Sequence, residues 1–359
     1  MKAKPGKGGL GVLSAIVIVG PEIREELESG VSLKSASPEL PPGVTQLEHK
    51  TPLVCVEILG RSIAGRLIDE LRRLDVDTIS VFADATIAPR HPDIDSSANV
   101  TVHAAEVPWE AAAQKLAASS ETEIEAVLVM RAGAYVEFDP ADLLQSHREQ
   151  GKAVTRAYDN EGPLDIWIID KARISQGDDM LAALRTSKPA RYKVQGYVNR
   201  LEHPRDLRRL VVDSLTSRCR FRPQGLETRP GVWIDEGAQV NRDARIVAPA
   251  YIGRGARVEA QCLITRCSNV ESNCQVDYGT VVEDSSILAN SYVGIGLDLS
   301  HSIVDGNNLL NLERNVTLAI TDPCVIRQNR VARKEKNRRS PIVFGLGGPQ
   351  FASAEEGSR

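Results

Sequence analysis

Aromatic side chains, paired cysteines and long apolar stretches are all scarce in this chain of 359 residues. Phe, Trp and Tyr make up only 4% of it, which argues against an aromatic-rich binding face and favours a core of small aliphatic side chains. The six cysteines form no Cys-x-x-Cys motif and no Cys/His pair at zinc-ligand spacing, so no zinc site is predicted. Without a disulfide pattern, the simplest location is the reducing cytoplasm.

No apolar stretch approaches the roughly 20 residues that span a bilayer, and we expect no transmembrane segment. Residues 12–20 are apolar but short, and they lack a small-residue cleavage site. They therefore predict a buried strand rather than a signal peptide. Residues 1–11, which include a glycine-rich run, are interpreted as a flexible tail.

Acidic and basic side chains nearly balance over the whole chain, whose formal net charge is −4. We therefore expect no nucleic-acid partner. Basic side chains are concentrated instead in residues 327–339, which hold seven of them and a single acidic one. Residues 327–359 are interpreted as a basic, disordered tail. The alternative is a segment that grips anionic lipid, a phosphorylated glycan precursor or an acidic partner surface.

A six-residue repeat dominates the second half of the chain. Aliphatic residues recur at that spacing at Ile234, Val240, Ile246, Ile252, Val258, Ile264, Val270, Val276, Val282 and Leu288, after which the frame slips by one residue. The positions four residues further on are nearly all small, and Cys262 and Cys274 among them are interpreted as packing residues. A strict period of six fits neither a helix nor an ordinary strand. It predicts triangular coils of three short strands around one core, about four coils in all, within a domain over residues 229–326.

Strand-like and helix-like segments alternate through residues 12–228. Apolar strands are predicted at residues 12–19, 78–83, 125–130 and 166–169, with a further apolar stretch at 53–58. Helices are predicted after the N-cap residue Ser62, at Pro108–Ala118, from Asp139 to Gly151 and at Pro204–Leu215. This alternation predicts an α/β domain with a largely parallel sheet. Such sheets bind ligands at the carboxyl ends of their strands, here near Gly20, Asp84 and Arg131.

An α/β domain followed by a hexapeptide coil resembles the sugar-nucleotidyltransferase family, which includes mannose-1-phosphate guanylyltransferases and glucose-1-phosphate nucleotidyltransferases. The resemblance runs from about residue 13 to residue 326. Its landmarks are Ala15-Ile16-Val17-Ile18-Val19-Gly20, Thr51-Pro52-Leu53-Val54-Cys55-Val56, Val127-Leu128-Val129-Met130, and Gly196-Tyr197 leading to Pro204. It implies a Rossmann-like nucleotidyltransferase domain of the GT-A type, followed by a left-handed parallel β-helix. It also implies a ligand that is a nucleotide sugar or a sugar phosphate.

The residues that perform catalysis in that family are replaced in this chain. The family's glycine-rich phosphate loop would follow Gly20, where Pro21 and Glu22 stand instead. The family lysine maps to Thr51, with Lys50 one residue away. The two aspartates that hold the metal map to Gly133 and Arg200, and Arg131 lies beside the first of these positions.

The resemblance and its departures together indicate a catalytically degenerate relative, used in sugar-nucleotide or surface-polysaccharide biosynthesis. It would bind a nucleotide sugar or sugar phosphate, or associate with itself or with an active nucleotidyltransferase. The residues assigned to ligand binding are Gly20, Lys50, Thr51, Asp84, Arg131, Gly133 and Arg200. No cofactor is predicted, and Mg²⁺ is expected only if the chain is active.

Two alternatives remain open. In the first, the chain is an active sugar-1-phosphate nucleotidyltransferase with a remodelled site that uses Asp84, Asp139 or Asp159 for the metal. In the second, the chain is a hexapeptide-repeat acyltransferase with His301 as general base.

Overall fold

The computed structural model describes residues 13–20, 53–73, 76, 78–84, 99–118, 124–172, 180–184 and 188–329. The predicted tails at residues 1–11 and from residue 330 onward lie outside the described residues, as do Lys50 and Thr51. The described part combines α-helices with β-sheets whose strands are mostly parallel.

The first region, residues 13–221, is built on a seven-stranded sheet in the order β5-β4-β1-β6-β9-β8-β10. The strands of this region, including the two-stranded pairs β2–β3 and β7–β11, are β1 (Leu13–Val19), β2 (Glu57–Ile58), β3 (Arg61–Ser62), β4 (Thr78–Asp84), β5 (Val100–Ala105), β6 (Ala126–Arg131), β7 (Tyr135–Val136), β8 (Val154–Tyr158), β9 (Pro163–Asp170), β10 (Ala190–Lys193) and β11 (Val198–Asn199). Neighbouring strands of the sheet are parallel except at β9, which is antiparallel to both β6 and β8. The predicted largely parallel α/β sheet is therefore confirmed, with one reversed strand that the sequence did not reveal.

Both faces of this sheet are covered, as the inner strand β1 shows, since it is apolar except for Ser14. All seven residues of β1 are buried. Leu13, Ala15, Val17 and Val19 face one core, whereas Ile16 and Ile18 face the other. This alternation explains why residues 12–19 read as a continuous apolar run rather than as an alternating one.

Helices pack on both faces of the sheet. They are α1 (Ile63–Arg73), α2 (Pro108–Ala118), α3 (Pro140–Gln150), α4 (Met180–Leu184) and α5 (Pro204–Leu215). The predicted caps are present: the Ser62 hydroxyl accepts from the Gly65 N–H at 3.0 Å, and the Asp139 carboxylate accepts from the Ala141 N–H at 2.9 Å. The apolar stretch at 53–58 is not one element, because a 3₁₀ turn at Leu53–Cys55 precedes β2.

The second region, residues 226–329, is a coil whose strands belong to three sheets. The first contains β12 (Leu226–Arg229), β13 (Val232–Ile234), β16 (Ala250–Ile252), β19 (Ser268–Val270), β22 (Ser286–Ile287), β25 (Ser302–Asp305), β26 (Asn308–Asn311) and β27 (Val316–Ala319). The second contains β14 (Gln239–Val240), β17 (Arg257–Val258), β20 (Gln275–Val276), β23 (Ser291–Val293) and β28 (Ile326–Gln328). The third contains β15 (Arg245–Ile246), β18 (Leu263–Thr265), β21 (Val281–Glu283) and β24 (Asp298–Ser300).

Parallel pairing between successive coils follows the predicted repeat. Ile252 pairs with Val270, three six-residue units further on, and both are fully buried. The frame slip comes earlier than predicted, because Val270 pairs with Ile287 and not with Leu288. Ile287 therefore faces the coil core, whereas Leu288 packs with the core of the first region.

Small or conformationally tolerant residues form the corners of the coil. Gly237, Gly255, Asn273 and Asn290 occupy one corner column, and each has a positive φ. Gly and Asn are the residues that adopt this left-handed backbone most readily. At other corners Cys262 and Cys274 are buried, as their interpretation as packing residues expects.

The coil continues beyond its predicted boundary at residue 326. Strand β28 pairs antiparallel with β23, and the Arg327 guanidinium lies 3.5 Å from the centre of the Tyr292 ring. The predicted tail therefore begins too early, since residues 327–329 belong to the described region.

The two regions share one hydrophobic core. Tyr251, Leu288, Ile303 and Leu310, all on the first sheet of the coil, belong to the same buried cluster as the inner sides of α1 and α5. The predicted domain boundary at residue 228 therefore marks a change in sequence pattern. The described chain on both sides of it, up to Asn329, forms one compact unit.

Two buried side chains with ionisable groups join the regions. Arg208 of α5 is 5% exposed and donates to the backbone oxygens of Cys267 at 2.8 Å and Arg266 at 3.2 Å, and to the Asp284 carboxylate at 2.7 Å. Glu271 of the coil is fully buried and accepts from the Leu59 N–H at 2.7 Å and the Gly60 N–H at 3.1 Å. A side chain on Gly60 would collide with the Tyr251 hydroxyl, since an added Cβ would lie 2.5 Å from it.

The inward aliphatic residues of the coil should carry much of its stability. Ile264 is fully buried, so Ile264→Ala should lower the free energy of unfolding by about 2–4 kcal/mol through lost burial and a cavity. The exposed neighbour Arg257 provides the control, since Arg257→Ala should cost less than about 0.5 kcal/mol. Denaturant unfolding of both variants measures the difference, and equal losses would contradict the six-residue register.

Stability should fall as pH rises because of Glu271. Burial and the nearby Glu57 carboxylate raise the pKa of Glu271 to about 8. The folded state therefore keeps a proton that the unfolded chain releases near the ordinary glutamate pKa of about 4.3. The stability that this proton contributes is fully present below that pH and is lost as pH rises toward 8, by at most about 1.4 kcal/mol per pH unit.

The Glu271→Gln variant should flatten this pH dependence between about pH 5 and pH 8. The exposed Glu236 provides the control, since Glu236→Gln should leave the slope unchanged. Denaturant unfolding across that pH range measures the slope. The same slope in the parent chain and in Glu271→Gln would contradict this assignment.

Candidate functional site

The strand order of the seven-stranded sheet reverses at its centre. From β1 the chain proceeds outward through β4 to β5, and then returns to the other side of β1 as β6. In α/β sheets such a reversal leaves a crevice outside the carboxyl ends of the two strands, where ligands bind. The candidate site is therefore expected beyond Val19 and Arg131.

A cavity of about 530 Å³ lies at this end of the sheet, beside β6. Its volume is within the range of small-molecule sites. The lining side chains that are charged or aromatic are Arg131, Arg156, Glu161, Asp165, Trp167, Arg200 and Glu202, and Gly133 lies in the wall. Arg131 and Gly133 come from the end of β6, Arg156 from β8, Asp165 from β9 and Arg200 from the residue after β11.

Asp165 joins two of these arginines. One of its oxygens is 2.7 Å from Arg131 Nε, and the other is 3.1 Å from Arg156 Nη2. The three side chains are 17%, 19% and 20% exposed for Arg131, Arg156 and Asp165, so they are partly screened from solvent. Two guanidinium groups on one carboxylate leave this cluster with a net positive charge.

Arg156 is held by further contacts. Its Nε donates to the Leu164 backbone oxygen at 2.9 Å, and its guanidinium lies 4.8 Å from the centre of the Trp167 ring. Stacking on an aromatic ring, together with a hydrogen bond to a backbone oxygen, fixes the plane of a guanidinium. Its edge remains able to bind an anion.

Arg200 also has an internal partner. Asp159 accepts two hydrogen bonds from it, from Nη2 at 2.6 Å and from Nε at 3.2 Å, and a Glu161 oxygen lies 3.3 Å away. Burial of Asp159 would raise its pKa, but the hydrogen bonds from Arg200 and from the Gly162 and Glu161 N–H groups outweigh burial and lower it. Arg200 is therefore not an isolated cation, because the Asp159 carboxylate pairs with it inside the protein.

Gly133 leaves the space that the Arg131 guanidinium occupies. A Cβ built on Gly133 would lie 2.6 Å from the Cζ of Arg131 and equally close to its terminal nitrogens. Because the aspartate of the sugar-nucleotidyltransferase pattern would stand at residue 133, the guanidinium takes the volume of that carboxylate. A side chain at residue 133 requires Arg131 to move.

The structure brings Arg131, Gly133 and Arg200 to one cavity, but it does not bring Gly20 or Asp84 there. Gly20 follows β1 and lies against Pro108, and Asp84 ends β4 beside Ala105 of β5. Lys50 and Thr51 lie outside the described residues, so their assignment stays a prediction.

The aspartates proposed as metal ligands do not meet. Asp139 caps α3, and Asp159 binds Arg200. Among the residues that the structure describes, no three His, Cys, Asp or Glu side chains form a group that could hold a metal ion.

Arg156 and Asp165 were missed by reasoning from sequence. The predicted strand at 166–169 begins one residue after Asp165, whereas β9 begins at Pro163. The sequence signal for Asp165 was its position as a charged residue between two apolar ones, Leu164 and Ile166, in a mainly apolar strand. Its partner Arg156 is revealed only by the antiparallel pairing of β8 with β9.

His301 lies far along the coil and has its own partners. Its Nδ1 is 2.7 Å from the Asp284 carboxylate, which also binds the buried Arg208. His301 does not line the cavity beside β6. Its role as an acyltransferase base stays a prediction.

Comparison with models of known protein families and with curated proteins finds no match. None of the described helices has the length and apolar character needed to cross a membrane.

Proposed function

We propose that this chain is a nucleotidyltransferase-like protein of sugar-nucleotide or surface-polysaccharide biosynthesis that binds a nucleotide sugar or sugar phosphate without turning it over. In this proposal residues 13–221 form a Rossmann-like domain of the GT-A type, and the coil is a left-handed parallel β-helix. The proposal rests on one observation above the others: Arg131, Arg156 and Arg200 line a single cavity at the carboxyl end of β6.

Guanidinium groups are well suited to phosphate. Each offers a planar fork of N–H donors that matches two phosphate oxygens, and it keeps its charge at any physiological pH. The cavity is large enough for a phosphorylated sugar. A second cavity of about 410 Å³ shares Leu67, Ala134 and Val136 with it and offers room for a further moiety of a larger ligand.

The same residues do not fit a magnesium ion. Mg²⁺ is bound by oxygen ligands, chiefly carboxylates, in near-octahedral geometry, and would activate a phosphoryl group for transfer. The two positions that would supply those carboxylates hold Gly133 and Arg200, and the Arg131 guanidinium fills the space beside Gly133. We therefore do not propose nucleotidyl transfer. We propose ligand binding, or association with an active relative or with a second copy of the chain.

Arg200→Ala should weaken binding of a nucleotide sugar by about 10- to 150-fold, the loss expected for one charge-assisted contact of about 1.5–3 kcal/mol. Calorimetric titration of the full chain with GDP-mannose and UDP-glucose, without metal, measures it. Arg148→Ala is the matched control: Arg148 also makes a two-point pair with a carboxylate, Glu125, at 2.8 and 2.5 Å, but it lies outside the cavity.

Equal affinities for Arg200→Ala and Arg148→Ala would place the ligand elsewhere, and no binding to the parent chain would remove the ligand proposal. A truncation after Asn329 tests the basic segment separately, since the cut leaves β28 intact. Binding that vanishes with this truncation and survives Arg200→Ala would assign the ligand to the basic segment.

A further inference from the structure

We infer that Asp165 is an internal stand-in for a phosphate, a carboxylate that pairs with both Arg131 and Arg156 and competes with the anionic ligand for them. This inference rests on the proposed function, because it concerns the same cavity. It makes Asp165 the residue that sets the affinity of the site for anions.

The contacts of Asp165 have the form that a phosphate would adopt. Its two oxygens each serve a different guanidinium, Arg131 through Nε and Arg156 through Nη2. A phosphate carries more acceptor oxygens and more negative charge than one carboxylate, so it competes effectively for the same pair. Asp165 itself lines the cavity, and a ligand there meets its charge directly.

Arg156 does not depend on Asp165 for its position. The Leu164 backbone oxygen and the Trp167 ring hold it independently, at 2.9 Å from Nε and 4.8 Å from the guanidinium carbon respectively. Removing the Asp165 charge would therefore leave an ordered guanidinium without this carboxylate, which is the arrangement that binds an anion most tightly.

Asp159 is a different kind of carboxylate. It accepts from the N–H groups of Glu161 and Gly162, both at 2.8 Å, in addition to Arg200. These bonds build the turn between β8 and β9, and Asp159 does not line the cavity. Its role is to hold the turn and Arg200, whereas Asp165 is the carboxylate that binds both Arg131 and Arg156.

The test compares Asp165→Asn with Glu125→Gln in the full chain. Glu125 is a matched control because its two oxygens also accept from a guanidinium, that of Arg148, at 2.8 and 2.5 Å, and it lines neither this cavity nor the second one. Both variants remove one negative charge, so a general change of net charge affects them equally. Inorganic pyrophosphate is the probe, measured by calorimetry without metal.

Asp165→Asn should bind pyrophosphate at least about tenfold more tightly than the parent chain, as expected when a competing negative charge is removed, and Glu125→Gln should not. Pyrophosphate should also raise the melting temperature of Asp165→Asn more than that of the parent. Unchanged or weaker binding by a folded Asp165→Asn, or an equal gain in Glu125→Gln, would overturn the inference.

If Asp165→Asn does not fold, the smaller Asp165→Ser variant is refolded with and without pyrophosphate. Recovery that requires pyrophosphate supports the inference, and equal recovery with and without pyrophosphate contradicts it.

The inference about Asp165 and the proposed function can fail separately. Tighter pyrophosphate binding by Asp165→Asn in a chain that binds no nucleotide sugar would leave Asp165 assigned and remove the proposed function. Nucleotide-sugar binding that depends on Arg200 but does not respond to Asp165→Asn would support the proposed function and remove the inference about Asp165.

Discussion

The reversed direction of β9 is the constraint on which the cavity depends. Because β9 runs antiparallel to β6 and β8, its first residues lie at the carboxyl end of the parallel strands, with Ile166 paired to Met130. This places Asp165 between Arg131 and Arg156, which come from the strands on either side. A parallel strand in the same place would bring its carboxyl end there instead, and the two arginines would lack a shared partner.

The coil contributes to the site without touching it. Arg200 precedes α5 by four residues, and α5 is fixed to the coil by Arg208, whose guanidinium binds backbone oxygens at stacked corners. Buried Glu271 holds the Leu59–Gly60 turn against the same sheet of the coil. A buried polar or charged group is costly to leave without its hydrogen-bond partners, so each contact restricts how the regions can move against one another. The repeat thus provides a rigid base that sets the position of Arg200.

Local patterns in the sequence predicted most of the elements, and long-range pairing decided what they missed. The cap at Asp139, the helix Pro204–Leu215 and the inward aliphatics of the coil depend on neighbours in sequence, and all are present. The position of the frame slip at Ile287 and the role of Leu288 depend on packing against the other region. In the site, Arg131, Gly133 and Arg200 were found because they replace residues of a resembled pattern. Asp165 and Arg156 were missed because only the pairing of β8 with β9 brings them together.

We propose that an anionic ligand binds beside β6, between the arginines, and not on the coil or the basic segment. Hydrogen–deuterium exchange of the full chain, with and without saturating GDP-mannose, decides between these locations. Bound ligand should slow exchange of the backbone amides at residues 131–134 and in the turn and strand start at 159–165, and leave the amides of the coil at residues 250–300 unchanged. Protection confined to the coil or to residues beyond 329, with the amides at 131–134 and 159–165 unaffected, would contradict it.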